Sequence, residues 1–383
     1  MKILIVRTFP DILNLQSYNV QEVGLAKALV KKGHTCDSVL YNGKHADRDE
    51  EYCFNQEGKS YQFTIHWLKG YNLFKNGFMP SLNKLIQEYD VIQVHEYDQI
   101  LSWRLYTRQP RPTVIYHGPY YDSFAKGYNL KCKVFDRVFL PRRKYEDVVA
   151  ISKSTLATSF LQEKGFQNVI TAGVGINPDN FENGVEYPLS DKKQEETLLY
   201  IGKLEERRNM YFLVDVFREL QKNRSKLHMV IIGNGEEEYK EKFLKSIEKE
   251  LMEGSIEYHT KADQKELVQY YRSASFFVLA SNYEIFGMVL LEAMYFGTPV
   301  ISSKNGGSCT LIEDGINGFV MDEFNKKDWA ERIHYALNNP NMLEDMSERA
   351  STTIREHFTW DALAENFLKA YKVAIKESKR RTE

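Results

Sequence analysis

Two glutamates eight residues apart frame the stretch best equipped for chemistry, Glu284-Ile285-Phe286-Gly287-Met288-Val289-Leu290-Leu291-Glu292. It follows an apolar run, Phe276 to Leu279, through the polar turn Ala280-Ser281-Asn282-Tyr283, and continues as a helical pattern to Gly297-Thr298-Pro299. A helix that starts at the carboxyl end of a parallel strand offers unsatisfied N–H groups and the positive end of its dipole. Gly287 lets that backbone come close to a ligand. Glu284 can accept hydrogen bonds from the hydroxyls of a bound polyol, and Glu292 can reach a second hydroxyl-bearing ring. The set suits a molecule with phosphates in the middle and a sugar at each end. The plain alternative is a solvent-facing Glu284 and a Glu292 favoured only by the dipole.

A second element lies upstream. Gly202-Lys203-Leu204-Glu205-Glu206-Arg207-Arg208-Asn209 follows the apolar run Thr197 to Ile201. Lys203 and Arg208 stand five apart around a turn and can clamp a diphosphate; ordinary solvation of both is the alternative. The GxxxxGK[ST] spacing of a P-loop is missing, which argues against phosphate-hydrolase chemistry. Gly233-Asn234-Gly235 makes a tight turn after the next run, and His117-Gly118 closes another in the first half. A histidine in that place is either a structural hydrogen-bonder or a group aimed at a ligand.

The elements that must position these residues repeat along the chain. Short apolar runs at Ile3 to Val6, Cys36 to Leu40, Gln62 to Leu68, Val91 to Val94, Thr113 to Tyr116 and Val148 to Ile151 alternate with helical patterns. The first such helix is expected from Tyr18 to Lys32, with Val20, Val23, Ala26 and Leu29 on one face and Gly33 as its stop. A second series reads Thr197 to Ile201, His228 to Ile232, Ile256 to Tyr258, Phe276 to Leu279 and Val300 to Ser302. Strand–helix–strand at this spacing demands parallel crossovers, hence an α/β chain with two Rossmann-like domains. The segment from Asn177 to Glu196 lacks an apolar period and reads as a linker. The expected division is therefore residues 1–185, residues 186–357 and a last amphipathic helix in 358–383 that needs a surface to cover and is expected to cross back to the N-terminal domain.

Composition narrows the classes further. The 383 residues suit two domains, and 51 Lys and Arg against 53 Asp and Glu leave a net charge of −2, so bulk attraction to nucleic acid is not expected. No apolar run is long enough to cross a bilayer or to serve as a secretory signal. Cys36, Cys53, Cys132 and Cys309 form no CxxC pair, which argues against a zinc site and for reduced thiols in a cytosol. One local bias stands out: Lys126 to Lys144 holds seven basic residues and the single acid Asp136. A solvated helix face explains it, and so does a patch for an anionic acceptor or for the inner face of a membrane.

The ordered motifs resemble the retaining glycosyltransferases of family four, which have the GT-B fold. The hallmark E-x-F-G-x4-E is carried by Glu284, Phe286, Gly287 and Glu292, and G-[RK]-L-x3-[KR] by Gly202, Lys203, Leu204 and Arg208. Ile232-Gly233-Asn234-Gly235, Gly297-Thr298-Pro299-Val300, Gly306-Gly307 and Asp314 to Gly318 follow in the family's order. Gly33-His34, His117-Gly118 and Gly173 to Asn177 extend the likeness through the first half.

The resemblance implies an N-terminal acceptor domain and a C-terminal donor domain, with sheets facing a central cleft. By the same likeness Lys203 and Arg208 hold the donor diphosphate, with Gly202 and Gly233 in the adjoining turns. Glu292 bonds the ribose. Glu284 and the backbone of Phe286, Gly287 and Met288 hold the transferred sugar, and the turn His259 to Ala262 meets the base. His117 is implied over the donor sugar, next to the leaving oxygen. No cofactor and no metal are implied; the donor is a UDP-sugar or a GDP-sugar, and the acceptor a saccharide or a lipid-linked molecule. Three positions depart from the family pattern: Asn14 to Asn19 replace a Gly-Gly turn, Lys203 stands where Arg is usual, and Thr310 where Glu is common. The expected activity is sugar transfer in polysaccharide or glycolipid assembly, in the cytoplasm, with a non-catalytic partner subunit of another glycosyltransferase as the alternative.

Overall fold

The structure is a computed structural model that describes the chain apart from residues 18, 57, 74, 109, 141–144, 182–195 and 383. It divides into two compact units, Met1–Asn177 with Thr359–Glu383, and Pro178–Phe358. The division falls eight residues ahead of the boundary expected after 185, because Phe181 packs with the second unit, its ring 5.0 Å from Phe296 and 6.1 Å from Tyr295. Most of the expected linker lies outside the described residues.

The first unit contains β1 (Lys2–Val6), β2 (Thr35–Tyr41), β3 (Arg48–Gln56), β4 (Lys59–Leu68), β5 (Tyr71–Leu73), β6 (Asn76–Phe78), β7 (Val91–His95), β8 (Thr113–His117), β9 (Tyr145–Ser152) and β10 (Phe166–Thr171). Eight of them form one sheet in the order β10-β9-β8-β7-β1-β2-β4-β3. Every pair is parallel except β3 with β4. Ile3, Leu4, Ile5 and Val6 are wholly buried, as a parallel strand covered on both faces must be. Burial of that kind stabilises by about 1.5–3 kcal/mol per large side chain.

The antiparallel edge strand is a feature that the apolar runs do not announce. Arg48-Asp49-Glu50-Glu51 opens it with charge, and only alternate residues turn inward. Its register places Tyr52 opposite Phe63 and Phe54 opposite Tyr61, with ring centroids 4.9 and 5.3 Å apart. Such cross-strand aromatic pairs hold an edge that has no apolar run of its own.

The first helix spans Gln21–Lys31, starting three residues later than its pattern predicts, and Gly33 at φ 82° takes the left-handed position after it. The C-terminal helix, Trp360–Thr382, belongs to this same unit. Its first residue explains two glycines: a Cβ on Gly24 or Gly175 would meet the Trp360 ring at 2.2 and 2.5 Å. Lys32 pairs with Glu365 at 2.7 Å, and Tyr371 donates to Gln93 Oε1 at 2.7 Å deep in the core.

The second unit holds β11 (Thr197–Ile201), β12 (His228–Ile232), β13 (Ile256–His259), β14 (Phe276–Leu279), β15 (Val300–Ser303) and β16 (Gly318–Met321). They form an all-parallel sheet in the order β13-β12-β11-β14-β15-β16.

Candidate functional site

In the second unit β11 has β12 on one side and β14 on the other, so the direction of winding reverses at this pair. Such a switch point opens a crevice beyond the carboxyl ends of its strands. The chain leaving β11 is pressed against the chain leaving β12. Gly202 N donates to Ile232 O at 3.0 Å and Leu204 N to Asn234 O at 2.9 Å. A Cβ on Gly233 would lie 1.8 Å from the Gly202 carbonyl oxygen, and one on Gly235 2.0 Å from that of Leu204. Gly202 and Gly233 therefore set how closely these turns stack, whatever ligand they meet.

The charged residues gather one turn further on. Arg207 and Arg208 end a short 3-10 turn, Glu206–Arg208, and Asn209 at φ 50° redirects the chain into the helix Met210–Gln221. Asn209 Nδ2 donates to Ala280 O at 2.8 Å, which ties this turn to the chain leaving β14. Arg207 Nη1 reaches Glu284 Oε1 at 2.9 Å and also the Tyr283 carbonyl oxygen. Arg208 Nη1 is paired with the same Glu284 oxygen, which accepts from Ser281 Oγ at 2.6 Å as well. Glu284 is thus a buried carboxylate held between two guanidinium groups, not a solvent-facing residue. Arg208 is 11% exposed; its Nε and Nη1 have no aligned hydrogen-bond acceptor among the described residues, but Nη1 is ion-paired with Glu284 and Nε stands 3.7 Å from Glu205 Oε1, which also pairs with Arg207 Nε at 2.7 Å.

Lys203 does not share that position. Its side chain is 60% exposed and its ammonium lies 3.8 Å from Glu205 Oε2. The structure thus sets Lys203 apart from Arg208, whose neighbour at Glu284 is Arg207. Arg207 escaped the sequence reading because the motif spacing selects 208; its signal was only that a second Arg precedes it.

Phe286 is buried and Gly287, at φ 75°, caps the helix Met288–Tyr295. The need for glycine at 287 is conformational: a side chain there would be strained at that φ. Glu292 is 6% exposed in the middle of this helix, and its Oε2 accepts from Tyr271 OH at 2.8 Å. Tyr271 comes from the neighbouring helix Gln264–Ser273 and is a second residue that the sequence reading missed. Ala262 is half-buried in the turn after β13, just before Asp263, which caps that helix reciprocally with Glu266. Thr310 donates to the Gly306 carbonyl oxygen at 2.7 Å.

His117 ends β8 in the first unit, and its ring is fully buried. It stacks on Phe160 at 5.5 Å and meets the edge of Tyr97 at 5.1 Å. These rings enclose the imidazole that the resemblance implies over the donor sugar. His117 Nδ1 lies 2.5 Å from Glu96 Oε2, although neither ring nitrogen has an aligned hydrogen-bond partner among the described residues. Glu96 is itself unusual, a non-glycine residue at φ 57°. Its carboxylate accepts from Gly118 N at 3.1 Å and stands 3.6 Å from Lys153 Nζ. Burial pushes the Glu96 pKa up, but His117, Lys153 and the hydrogen bonds outweigh it and hold the group at about 2.

Glu96, Asp98 and His117 place one ligand-type atom each within 4.8 Å of one another. Lys153 beside Glu96 and Lys131, 2.8 Å from Asp98 Oδ2, already balance both carboxylates, so the charge is met without an ion.

Comparison with known proteins gives two family models in succession. Residues 23–174 match "Glycosyltransferase Family 4" and residues 188–353 match "Glycosyl transferases group 1". The chain is 22% identical over 263 residues to mannosylfructose-phosphate synthase of Agrobacterium fabrum, spanning 64% of this chain and 57% of that protein. It is 24% identical over 378 residues to an uncharacterised glycosyltransferase of Methanocaldococcus jannaschii, spanning 92% of this chain and 93% of the other. Among solved structures, Anabaena HepE in complex with UDP-glucose superposes with a TM-score of 0.65 at 14% identity, over 97% of this chain and 99% of that one. The chain therefore shares the GT-B fold of that structure.

Proposed function

Because the chain belongs to the group 1 glycosyl transferases of family four, we propose that it moves a sugar from a nucleoside-diphosphate sugar to a hydroxyl acceptor with retention at the anomeric carbon. The observation that carries this reading is the Arg207–Glu284–Arg208 cluster at the switch point of the second sheet. Two guanidinium groups at the mouth of a parallel sheet, one with unaligned donors, favour a diphosphate. HepE, of like fold, is described in complex with UDP-glucose, in keeping with a UDP-sugar donor; a GDP-sugar fits the cluster equally.

In this reading Arg208 exchanges its contact with Glu284 for the leaving phosphate, while Arg207 keeps Glu284 in place against the sugar. The anomeric carbon–oxygen bond to the diphosphate breaks, the bond to the acceptor oxygen forms on the same face, and the acceptor proton passes to the departing phosphate oxygen. The guanidinium groups offset the charge that grows there. Glu292, held by Tyr271, is the ribose ligand, and His117, ion-paired with Glu96, is the group that polarises the sugar. The test is a panel of labelled UDP- and GDP-sugars scored for hydrolysis and for transfer to saccharide acceptors. Turnover of one donor with an α-linked product from an α-linked donor supports the reading; silence across the panel favours a non-catalytic partner of another glycosyltransferase.

A lipid-linked acceptor is the finer part of the proposal. No helix among the described residues is long and apolar enough to cross a membrane. The helix Lys126–Phe139 instead leaves Leu130, Val134 and Val138 exposed at 65, 57 and 63% on one face, with Lys126, Lys133 and Arg137 exposed between them. An apolar stripe set among cations suits an anionic lipid surface. Arg142, Arg143 and Lys144, which complete the basic run, lie outside the described residues. Flotation with vesicles of mixed neutral and anionic phospholipid is expected to carry the protein upward at low salt, and a Leu130→Ser, Val134→Ser, Val138→Ser variant to stay below. Equal flotation of both removes the membrane from the proposal.

A further inference from the structure

Asp136 is the one acid in the basic run from Lys126 to Lys144, and the transfer chemistry gives it no role. It belongs to the helix Lys126–Phe139, whose inward face carries the buried Cys132 and Phe135 while Leu130, Val134 and Val138 turn to solvent. The Asp136 side chain lies at the rim of the inward face, 20% exposed.

Three donors converge on its carboxylate. Tyr97 OH donates to Oδ1 at 2.9 Å and Tyr121 OH to Oδ2 at 3.4 Å, and Lys164 Nζ pairs with Oδ2 as well. Lys164 Nζ also donates to Tyr121 OH at 2.6 Å and stands over the rings of Tyr121 and Phe160, 4.3 and 5.0 Å from their centres. A plain surface ion pair would need only the lysine. Here two hydroxyls from separate segments share the same acid.

Those donors belong to the wall around His117. Tyr97 meets the imidazole edge-on at 5.1 Å and 82°, and Phe160 stacks on its face at 5.5 Å and 19°. Tyr97 and Phe160 touch each other at 5.7 Å, and Tyr121 braces Phe160 at 4.9 Å. Tyr97 is wholly buried, so its hydroxyl depends on Asp136 for an acceptor. Without that acceptor the hydroxyl is left unsatisfied in the interior, and the ring gains by turning toward water, away from the imidazole.

The chain on either side of Tyr97 strengthens the link. Glu96 spends its carboxylate on His117 Nδ1, and Asp98 pairs with Lys131 of the same helix at 2.8 Å and accepts from Cys132 Sγ at 3.8 Å. Each side chain of Glu96-Tyr97-Asp98 is thus committed to His117 or to the helix that carries Asp136.

We propose that Asp136 is a positioning residue for His117: it holds the Tyr97 ring by its hydroxyl, and that ring fixes the direction of the imidazole. The effect on rate rests on the transfer reading; the link between Asp136 and the imidazole does not.

The experiment is NMR of the histidine rings on the full chain labelled at histidine, with His117→Gln to identify the signal, beside turnover of nucleotide sugars and calorimetry with UDP and GDP. The carbon-bound protons of His117 feel the ring currents of Phe160 and Tyr97, so they report the geometry of this wall rather than overall stability. Asp136→Ala is expected to move the His117 signals and to lower kcat about tenfold, with KM and nucleotide affinity within about twofold. Asp136→Asn keeps an acceptor oxygen for the Tyr97 hydroxyl and is expected to restore most of both. Tyr97→Phe should move the signals in the same direction, and adding it to Asp136→Ala should cost less than about twofold more, since both changes break one bond. Parental His117 signals in Asp136→Ala, an Asp136→Asn no better than Asp136→Ala, or losses that multiply in the double variant overturn the proposal. Should the signals move while the parent turns over no donor, Asp136 still positions the imidazole and the transfer reading falls. Should the parent and Asp136→Ala turn over a donor equally, the proposal falls alone.

Discussion

The cluster beyond β11 and β14 and the cluster beyond β7 and β8 are built from similar parts to opposite ends. Each sets a buried glutamate against two basic groups at the carboxyl edge of a parallel sheet: Glu284 with Arg207 and Arg208, Glu96 with His117 and Lys153. In the first, two arginines share the carboxylate and part of each guanidinium stays exposed, at 32% for Arg207 and 11% for Arg208, so on the proposed reading a phosphate can displace one of them while the other keeps Glu284. In the second, aromatic rings close over the histidine and the glutamate backbone is held in a left-handed conformation. The same acid–base pairing thus stands partly exposed where its bases are arginines and fully enclosed where its base is a histidine, and the proposed function gives exchange to the first and orientation to the second.

The largest effect that tests this contrast is at the exchange cluster. Glu284→Ala is expected to lower turnover at least about a hundredfold, since both arginines lose their shared anchor and the sugar loses its carboxylate. Nucleotide affinity is expected to stay within a few-fold, because the guanidinium charges remain. Steady-state rates with calorimetry check the split; equal losses in both would make Glu284 a scaffold residue.

At the sealed cluster, His117→Ala is expected to cost about a hundredfold in turnover with unchanged nucleotide affinity, within the usual range for a positioned acid–base group. Glu96→Gln tests the orienting role. It keeps the shape but loses the charge that fixes the imidazole, and imidazole nitrogen shifts should show a changed tautomer population. A Glu96→Gln enzyme with parental turnover and parental His117 shifts would make the contact purely structural.

Acid stability separates the same regions by another route. His95 is buried with its pKa pushed down to about 4 from about 6.5 in an unfolded chain. As pH falls below about 6.5 the unfolded chain takes up a proton that the folded one refuses, so stability drops until about pH 4. The size is about 3 kcal/mol at 1.36 kcal/mol per unit. Glu96 adds a second loss lower down, from the ordinary carboxylate range toward about 2, as its favourable charge is protonated. Thermal unfolding between pH 7 and 4 should be flatter for His95→Phe than for the parent, and parallel curves would remove His95 as the cause.

The legibility of the two regions differs as their physics does. The exchange cluster was readable because its backbone demands leave marks: a left-handed cap at Gly287 and stacked turns at Gly202 and Gly233 force glycine at fixed spacings. The parallel strands were readable because burial on both faces requires unbroken apolar runs. Arg207 and Tyr271 were not, since they act through contacts 77 and 21 residues away that no local spacing encodes. Glu96 lay hidden in Val94-His95-Glu96-Tyr97, where only its backbone angle betrays it. β3 was missed because its inward residues alternate with charge, and β10 because only Phe166 is fully inside at its start.

The smallest effect expected is also the sharpest test of what the geometry adds to the motif. Spacing alone makes Lys203 and Arg208 equal halves of one clamp. Arg208 is nearly buried, has donors without aligned acceptors and lies against Glu284, whereas Lys203 is 60% exposed and 3.8 Å from its nearest acid. A hydrogen bond to a charged group is worth about 1.5–3 kcal/mol, so Arg208→Ala should weaken UDP or GDP binding about tenfold to a hundredfold. Arg208→Lys should restore little of it, since an ammonium cannot span two oxygens as a guanidinium does. Lys203→Ala should change the affinity by less than about fivefold, the scale of an exposed ion pair. Calorimetry of the three variants decides between the clamp and the arginine pair. Equal losses at 203 and 208 would mean that the lysine swings in on binding and that the motif's spacing, not the geometry of the cluster, names the true phosphate ligands.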